Sequence, residues 1–480
     1  MKLSSSIARY GGFVFSVGGA RVVGILITSA TFPYLVRHLG VEMYGLWSYV
    51  VAVCAFLDVI ANPGLSIYTT QQVAARREAA ADLLPDVLTL RVLSSLLAGA
   101  ALLVVASLET RLDVRQLFYW YGLGILVVNL TSTEYLMTGL EMFHASSLFT
   151  IVQQCLYALG IFTLVRSPKD VVWVPGSILI SAAMIRIGGW FLLWRRGFHL
   201  SFAIRPDRWK GILVPGAHYA VATLMSSLYH RTGHIVVRWF LGEHALGLYA
   251  AATRLVDILR HFVLIVMNVL MPRMALAAKA GAGLERLARL AIALVAVVSI
   301  PLTLGLMSTA AMVVPWVMGF KYVETATLVR WMAPYMITSS LASLLSGTIL
   351  YAMGKHRSYL AATSAGAIAG VLLYLVLTYA FGLIGAGLAF ALAEFVVAAT
   401  AFALLPWDIR SLWRTPVIGI ALLSGFLMVV IVRIMNDYSV RPVIVICVGA
   451  LVYVNLCGWF SRRWFARELG DSAVARPVSS

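Results

Sequence analysis

An apolar run of roughly 17–25 residues is long enough to cross a lipid bilayer as a helix, and this chain carries such runs from end to end. About fourteen can be counted, from cores at Phe13–Leu35 and Tyr44–Ala61 to Val417–Ile434 and Val443–Phe460. Hydrocarbon cannot hydrogen-bond a backbone, so each run must satisfy its own N–H and C=O groups, and helices of this length do so. The alternating pattern of a membrane β-barrel is absent. The polar connections, longest at 75–87, 195–211 and 272–286, are each under roughly twenty residues and hold no soluble domain. The opening "MKLSSSIARYGG" has no cleavage signal after its first apolar run, so Phe13–Leu35 reads as a retained span. The expected fold class is therefore an all-α polytopic membrane protein, in which 61% of residues are hydrophobic and 12% charged.

A net charge of +17 could suggest nucleic acid, but its distribution points to a membrane. With the N-terminus in the cytoplasm, the loops and tails on that side carry about twenty-one Lys and Arg against about nine opposite, the positive-inside bias. Both termini are then expected in the cytoplasm, with a basic cytoplasmic tail over 461–480. Cys54, Cys155, Cys447 and Cys457 lie in apolar runs, where a small buried hydrophobe is the ordinary role.

Charges inside the spans carry the functional signal, because each costs about 2.5–3.5 kcal/mol at the bilayer centre unless it faces a partner or water. The segment "YHRTGHIVVRWFLG" (229–242) puts His230, Arg231, His234 and Arg238 on one polar stripe with Ser226 and Ser227. Arg254, Asp257 and His261 share a face of the following helix. Cys54, Asp58 and Asn62 stand in line before the helix-breaking Pro63-Gly64, and Arg21, Glu134, Arg186 and Glu394 sit in other spans. A water-accessible cavity with basic walls would explain the set. Simpler roles stand beside it: an i,i+3 pair of Arg254 with Asp257, and snorkelling of Arg238 to the interface. His230 and His234 lack a neighbouring Cys or Glu for a metal site, and no metal or cofactor is expected.

"VRHLGVEMYGLW" (36–47) and "VRWFLGEHALGLY" (237–249) share Val-Arg and then Gly-x4-Gly-Leu-aromatic. The intervening residues hold six spans, so both copies leave the membrane on one side, as in a parallel repeat. The expected architecture is two pseudo-symmetric six-helix halves, 1–200 and 201–410, with two further helices in 411–460.

These motifs resemble the MOP exporter superfamily, whose members include MATE and MurJ-like proteins, and within it the Wzx-type polysaccharide flippases. The first connection, "HLGVEMYGLWSY" (38–49), the break "LDVIANPGL" (57–65), and "HIVVRWFLG" with "GLYAAATRLVDIL" match that family's loose patterns, although His234 stands where an Asp is common. The resemblance implies ion-coupled alternating-access export of a polyprenyl-diphosphate-linked oligosaccharide across a bacterial inner membrane. The partners it implies are that glycolipid, a proton or sodium gradient, membrane lipids, and the polymerase and export machinery of a surface polysaccharide. On that reading Arg21, Arg231, Arg254, His230, His234 and Arg186 face the cargo, and Asp58, Asp257, Glu134 and Glu394 couple ions. A drug antiporter of the same superfamily would want an acidic or aromatic cavity. A membrane glycosyltransferase is disfavoured because there is no Asp-x-Asp and no long outer loop. With no phosphate-binding loop, ATP hydrolysis by this chain is not expected.

Overall fold

The computed structural model describes residues 2–280, 283–406, 413, 415–438 and 440–470, with backbone alone over most of the first 21 residues and at several positions in 266–282 and 463–470. Its contacts divide it into two compact units, Met1–Ala250 and Ala251–Ser480.

Every regular element among the described residues is helical. In the first unit these are α1 (Lys2–Ala61), α2 (Leu65–Ala75), α3 (Ala79–Leu108), α4 (Leu112–Thr131), α5 (Glu134–Gly139), α6 (Phe143–Leu164) and α7 (Trp173–Trp194). Then comes α8 (Pro206–Ala280), which continues into the second unit. There follow α9 (Leu284–Met318), α10 (Thr325–Met332), α11 (Tyr335–Ala342), a π-helical stretch (Ser343–Leu350), α12 (His356–Leu404), α13 (Pro416–Asp437) and α14 (Pro442–Gly470). Among the described residues, nine stretches are long and apolar enough to cross a membrane. Two of them, Val22–Ala61 and His356–Leu404, are broken by non-helical glycines at Gly40 and Gly382. The chain is a multi-pass, all-helical membrane protein.

The repeated Gly-x4-Gly turns have a shared geometry. Gly40 (φ 73°, ψ 177°) and Gly242 (φ 83°, ψ −174°) break α1 and α8 in the same conformation, one that a side chain would strain. The second glycines serve close approach: a Cβ on Gly45 would stand 2.7 Å from the Gly247 nitrogen, and one on Gly247 would overlap the Val41 carbonyl. The two turns thus pack backbone to backbone within the first unit.

Within that unit α1 packs along α6 and against α3 and α4, with Tyr34 donating a hydrogen bond to the Val165 carbonyl at 2.8 Å. In the second unit α13 lies on α9 and α14 on α13. Ile300, Met428, Val432 and Tyr453 build the core there, and the Tyr453 hydroxyl donates to the Val297 carbonyl at 2.9 Å.

Gly247→Ala forces a methyl group into a backbone carbonyl and should cost about 1–3 kcal/mol, read as a lower melting temperature in detergent and a reduced folded yield. Gly211→Ala, where nothing lies within 4 Å of the added carbon, should melt at or above the wild-type temperature.

Candidate functional site

In the first unit the polar groups gather at the C-terminal end of α4, where Asn129 and Thr133 are buried. The last turn of a helix leaves carbonyls without partners, and where that turn is buried only protein can supply them. Arg91, fully buried on α3, donates from Nη1 to the Asn129 carbonyl at 2.6 Å. Arg186 on α7 donates from Nε to the Val128 carbonyl at 3.3 Å, and Trp190 from Nε1 to the Thr131 carbonyl at 3.0 Å. Two cations at a helix C-terminus also suit its dipole.

From this cap a hydrogen-bond chain leads to Asp58. Arg91 Nη2 donates to Ser66 Oγ at 2.7 Å, and the guanidinium stands 4.2 Å from the Tyr135 ring centre. Asn62 Nδ2 donates to the same Ser66 Oγ at 2.9 Å, and Asn129 Nδ2 donates to Asp58 Oδ1 at 2.8 Å. Asp58 is exposed, with the Arg91 charge behind Asn129 within electrostatic reach. Glu134, also exposed, stands in reach of Arg186.

The second unit holds another cluster. Asp257 on α8 accepts a hydrogen bond from the Tyr335 hydroxyl at 3.2 Å and lies 3.6 Å from Arg260 Nε. Tyr335 stacks on Phe390, ring centres 3.9 Å apart, and the Arg260 guanidinium is 5.7 Å from the Tyr335 ring centre. Glu394, one turn beyond Phe390 on α12, is 3% exposed and within electrostatic reach of Arg260 and Asp257. The partner of Asp257 three residues away is therefore Arg260, not Arg254. His261 Nδ1 turns to its own helix, 2.6 Å from the Asp257 carbonyl.

Of the 229–242 stripe, His234 is buried edge-on to Tyr249 at 5.2 Å, and His230 lies beside Tyr229. Arg231 is partly exposed and within electrostatic reach of Tyr121, as is Asp58. Arg254 is partly exposed in the second unit. Among the described residues, Arg231 and Arg254 make no hydrogen bond or ion pair, whereas Arg91, Arg186, Arg238 and Arg260 are each engaged. The side chain of Arg21 lies outside the described residues. No group of three or more His, Cys, Asp or Glu that could hold a metal occurs among the described residues.

Two arginines went unremarked in the sequence, Arg91 and Arg260. The available signal was their place in apolar runs, "LTLRVLSS" and "VDILRHFV", where an ionisable group is a functional candidate by default.

Arg238 does more than snorkel. Its Nη1 and Nη2 donate to the two carboxylate oxygens of Glu109 at 2.6 and 3.1 Å, and Nη2 lies 3.5 Å from Glu243. Arg111 pairs with both Glu243 and Asp113, joining the α3–α4 connection to the Gly242 turn. The Arg238 and Glu109 side chains are 17% and 9% exposed, so the fork is far more shielded than a surface pair. Burial pushes the Glu109 carboxyl up, but the hydrogen bond and charge of Arg238 outweigh it and hold the group below its ordinary value.

Arg238→Ala leaves Glu109 buried without its partner and should destabilise by about 3–5 kcal/mol. A depressed carboxyl contributes stability only while ionised. Melting temperature should therefore hold from neutral pH to the ordinary Glu range near about 4.3 and fall below it, with Glu109→Gln weakening that acid dependence.

Comparison with known proteins gives three findings. The model of a family described as polysaccharide biosynthesis protein matches residues 14–277. A protein of Escherichia coli (strain K12) named "Putative O-antigen transporter" is 23% identical over 256 residues, which cover 52% of this chain and 61% of that protein. The fold is similar to that of the lipid II flippase MurJ in an inward closed conformation (TM-score 0.75, 14% identity, 94% of this chain and 99% of that one). It is also similar to an inward-facing multidrug resistance MATE family transporter of the MOP superfamily (TM-score 0.63, 16% identity, 81% and 99%).

Proposed function

Because the chain belongs to the polysaccharide biosynthesis protein family, a transporter family and not one of enzymes, we propose that it flips a polyprenyl-diphosphate-linked oligosaccharide. It would do so across the bacterial cytoplasmic membrane for assembly of a surface polysaccharide. The Escherichia coli relative, named for O-antigen transport, and the fold shared with a lipid II flippase support this reading. Fourteen spans in two six-helix halves plus two, with both termini in the cytoplasm, are part of the same proposal.

The observation that carries it is two arginines of α8, Arg231 and Arg254, each partly exposed and without a carboxylate partner among the described residues. An arginine held in a span needs something to offset it, and a planar guanidinium matches a diphosphate through two parallel hydrogen bonds. An exporter of organic cations would instead place free carboxylates there. Arg21 and His230 are proposed as further cargo-binding residues of the first unit. Arg186 is drawn to the end of α4 and His234 is buried, so both would position rather than grip.

Asp58 and Glu394 with Asp257 are proposed as the ion-coupling carboxylates, with Glu134 beside Arg186. Each cluster couples an acid to a nearby arginine, so that binding a proton or cation would change the local charge balance. Alternating access would carry the sugars through water while the polyprenyl tail stays in lipid.

In the native host, Arg231→Ala and Arg254→Ala should each lower surface polysaccharide by about 10-fold or more, given about 1.5–3 kcal/mol for a hydrogen bond to a charged group, with membrane protein level unchanged. The Lys variants should recover part of the loss. Normal export by both Ala variants would overturn the diphosphate site.

In proteoliposomes, glycolipid should accumulate on one face only under an imposed proton or sodium gradient, with no ATP present. Accumulation that survives collapse of both gradients would refute ion coupling.

A further inference from the structure

The connection between α7 and α8 carries a surface that the proposed cargo and ion sites do not include. α7 ends at Trp194, and the turn that follows closes with the Phe198 N–H donating to the Leu193 carbonyl at 3.1 Å. Phe198 then packs on the apolar cluster that includes Leu84, Val87 and Leu136. From 198 to 205 the backbone has no helical or strand pairing, and past the inward-packed Phe198 the apolar side chains at 200, 202 and 204 turn outward.

One set faces α3. The Ala203 N–H donates to Thr89 Oγ1 at 3.0 Å, and Arg205 Nη1 lies 3.6 Å from both Asp82 and the buried Asp86. The other set is Leu200, Phe202 and Ile204, which are 61%, 62% and 79% exposed. Arg195, Arg196 and Lys210 stand exposed at the two ends of the segment. Phe191 and Trp194, at the end of α7 that precedes the segment, are themselves exposed. Bulky apolar side chains on one face with basic flanks are the composition that settles at a bilayer interface.

We propose that residues 198–205 form an interfacial strap. Leu200, Phe202 and Ile204 enter the boundary between headgroups and acyl chains, and Arg195, Arg196 and Lys210 bind anionic lipid headgroups. On the proposed topology this is the cytoplasmic leaflet, whose surface is negative and attracts such clusters. The strap would fix the start of α8 at a set depth while Asp82 and Asp86 hold its other face.

The test uses the full chain with the four native cysteines replaced by serine and single cysteines at 199 to 204 carrying an environment-sensitive fluorophore. It is reconstituted into vesicles of phosphatidylcholine with phosphatidylglycerol. Brominated acyl chains should quench labels at Leu200→Cys, Phe202→Cys and Ile204→Cys about twofold or more above those at His199→Cys and Ser201→Cys. Brominated phosphatidylglycerol should quench more than brominated phosphatidylcholine at equal content, and Arg195→Gln with Arg196→Gln should remove that excess. Equal, water-like labels at all positions overturn the strap. Labels at 200, 202 and 204 shielded from both water and lipid overturn it in favour of a protein contact, and equal quenching by the two lipids overturns the headgroup site. The readout does not depend on which way the protein is inserted or on transport, so failure here is distinct from failure of the flippase reading.

Discussion

A helix that ends buried against other protein leaves carbonyls that water does not reach, and each one left unsatisfied costs about 1–3 kcal/mol. α4 ends this way at Thr131, with Asn129 and Thr133 buried and with Ser132 and Thr133 separating it from α5. The polar architecture of the first unit follows from that break. Arg91, Arg186 and Trp190 take the carbonyls of Asn129, Val128 and Thr131. Burying Arg91 in turn requires Ser66 and Tyr135, and the Asn129 side chain is then aimed at Asp58. A cap that satisfies the backbone also sets the position of an exposed carboxylate.

The break between α1 and α2 belongs to the same system. Asn62 lies just past the end of α1, where its Oδ1 accepts from the Ser66 N–H at 3.1 Å while its Nδ2 donates to the Ser66 hydroxyl. Ser66 is thereby fixed to receive Arg91. Pro63-Gly64 thus interrupts the helix where an oriented hydroxyl is needed.

Much of the fold was legible because it rests on local rules. Apolar length marks the helices, and the two Gly-x4-Gly motifs mark turns whose angles agree to within about 10° in φ. The site was legible only in part. Apolar context flags a charged residue but does not name its partner: Asp257 has arginines three residues away in both directions, and helical spacing treats them alike. Tyr335 and Phe390, far along the chain, shape the cluster in which Arg260 is the partner. Arg238 read as a snorkelling end because Glu109 is 129 residues distant. The α4 cap was invisible for the same reason, since no local pattern announces that an arginine will serve another helix's carbonyl.

The two Gly turns repeat a backbone conformation, and the charges that follow them differ. Asp58 and Arg260 each stand 18 residues beyond their turn glycines, Gly40 and Gly242, so equivalent positions carry opposite charge. In the first unit the acid is exposed and its arginine buried behind Asn129. In the second the buried acid is Glu394, with Arg260 and Asp257 in electrostatic reach. Both clusters contain their own counter-charge, as a low-dielectric interior demands, and so neither attracts a strongly charged anion. On the proposed reading that attraction would fall to the arginines outside the clusters, Arg231 and Arg254. If the proposed function holds, separating the two kinds of charge would let the compensated clusters respond to small cations without surrendering the arginines available to a diphosphate. A design with one shared set of charges would force proton and cargo to compete for the same guanidinium.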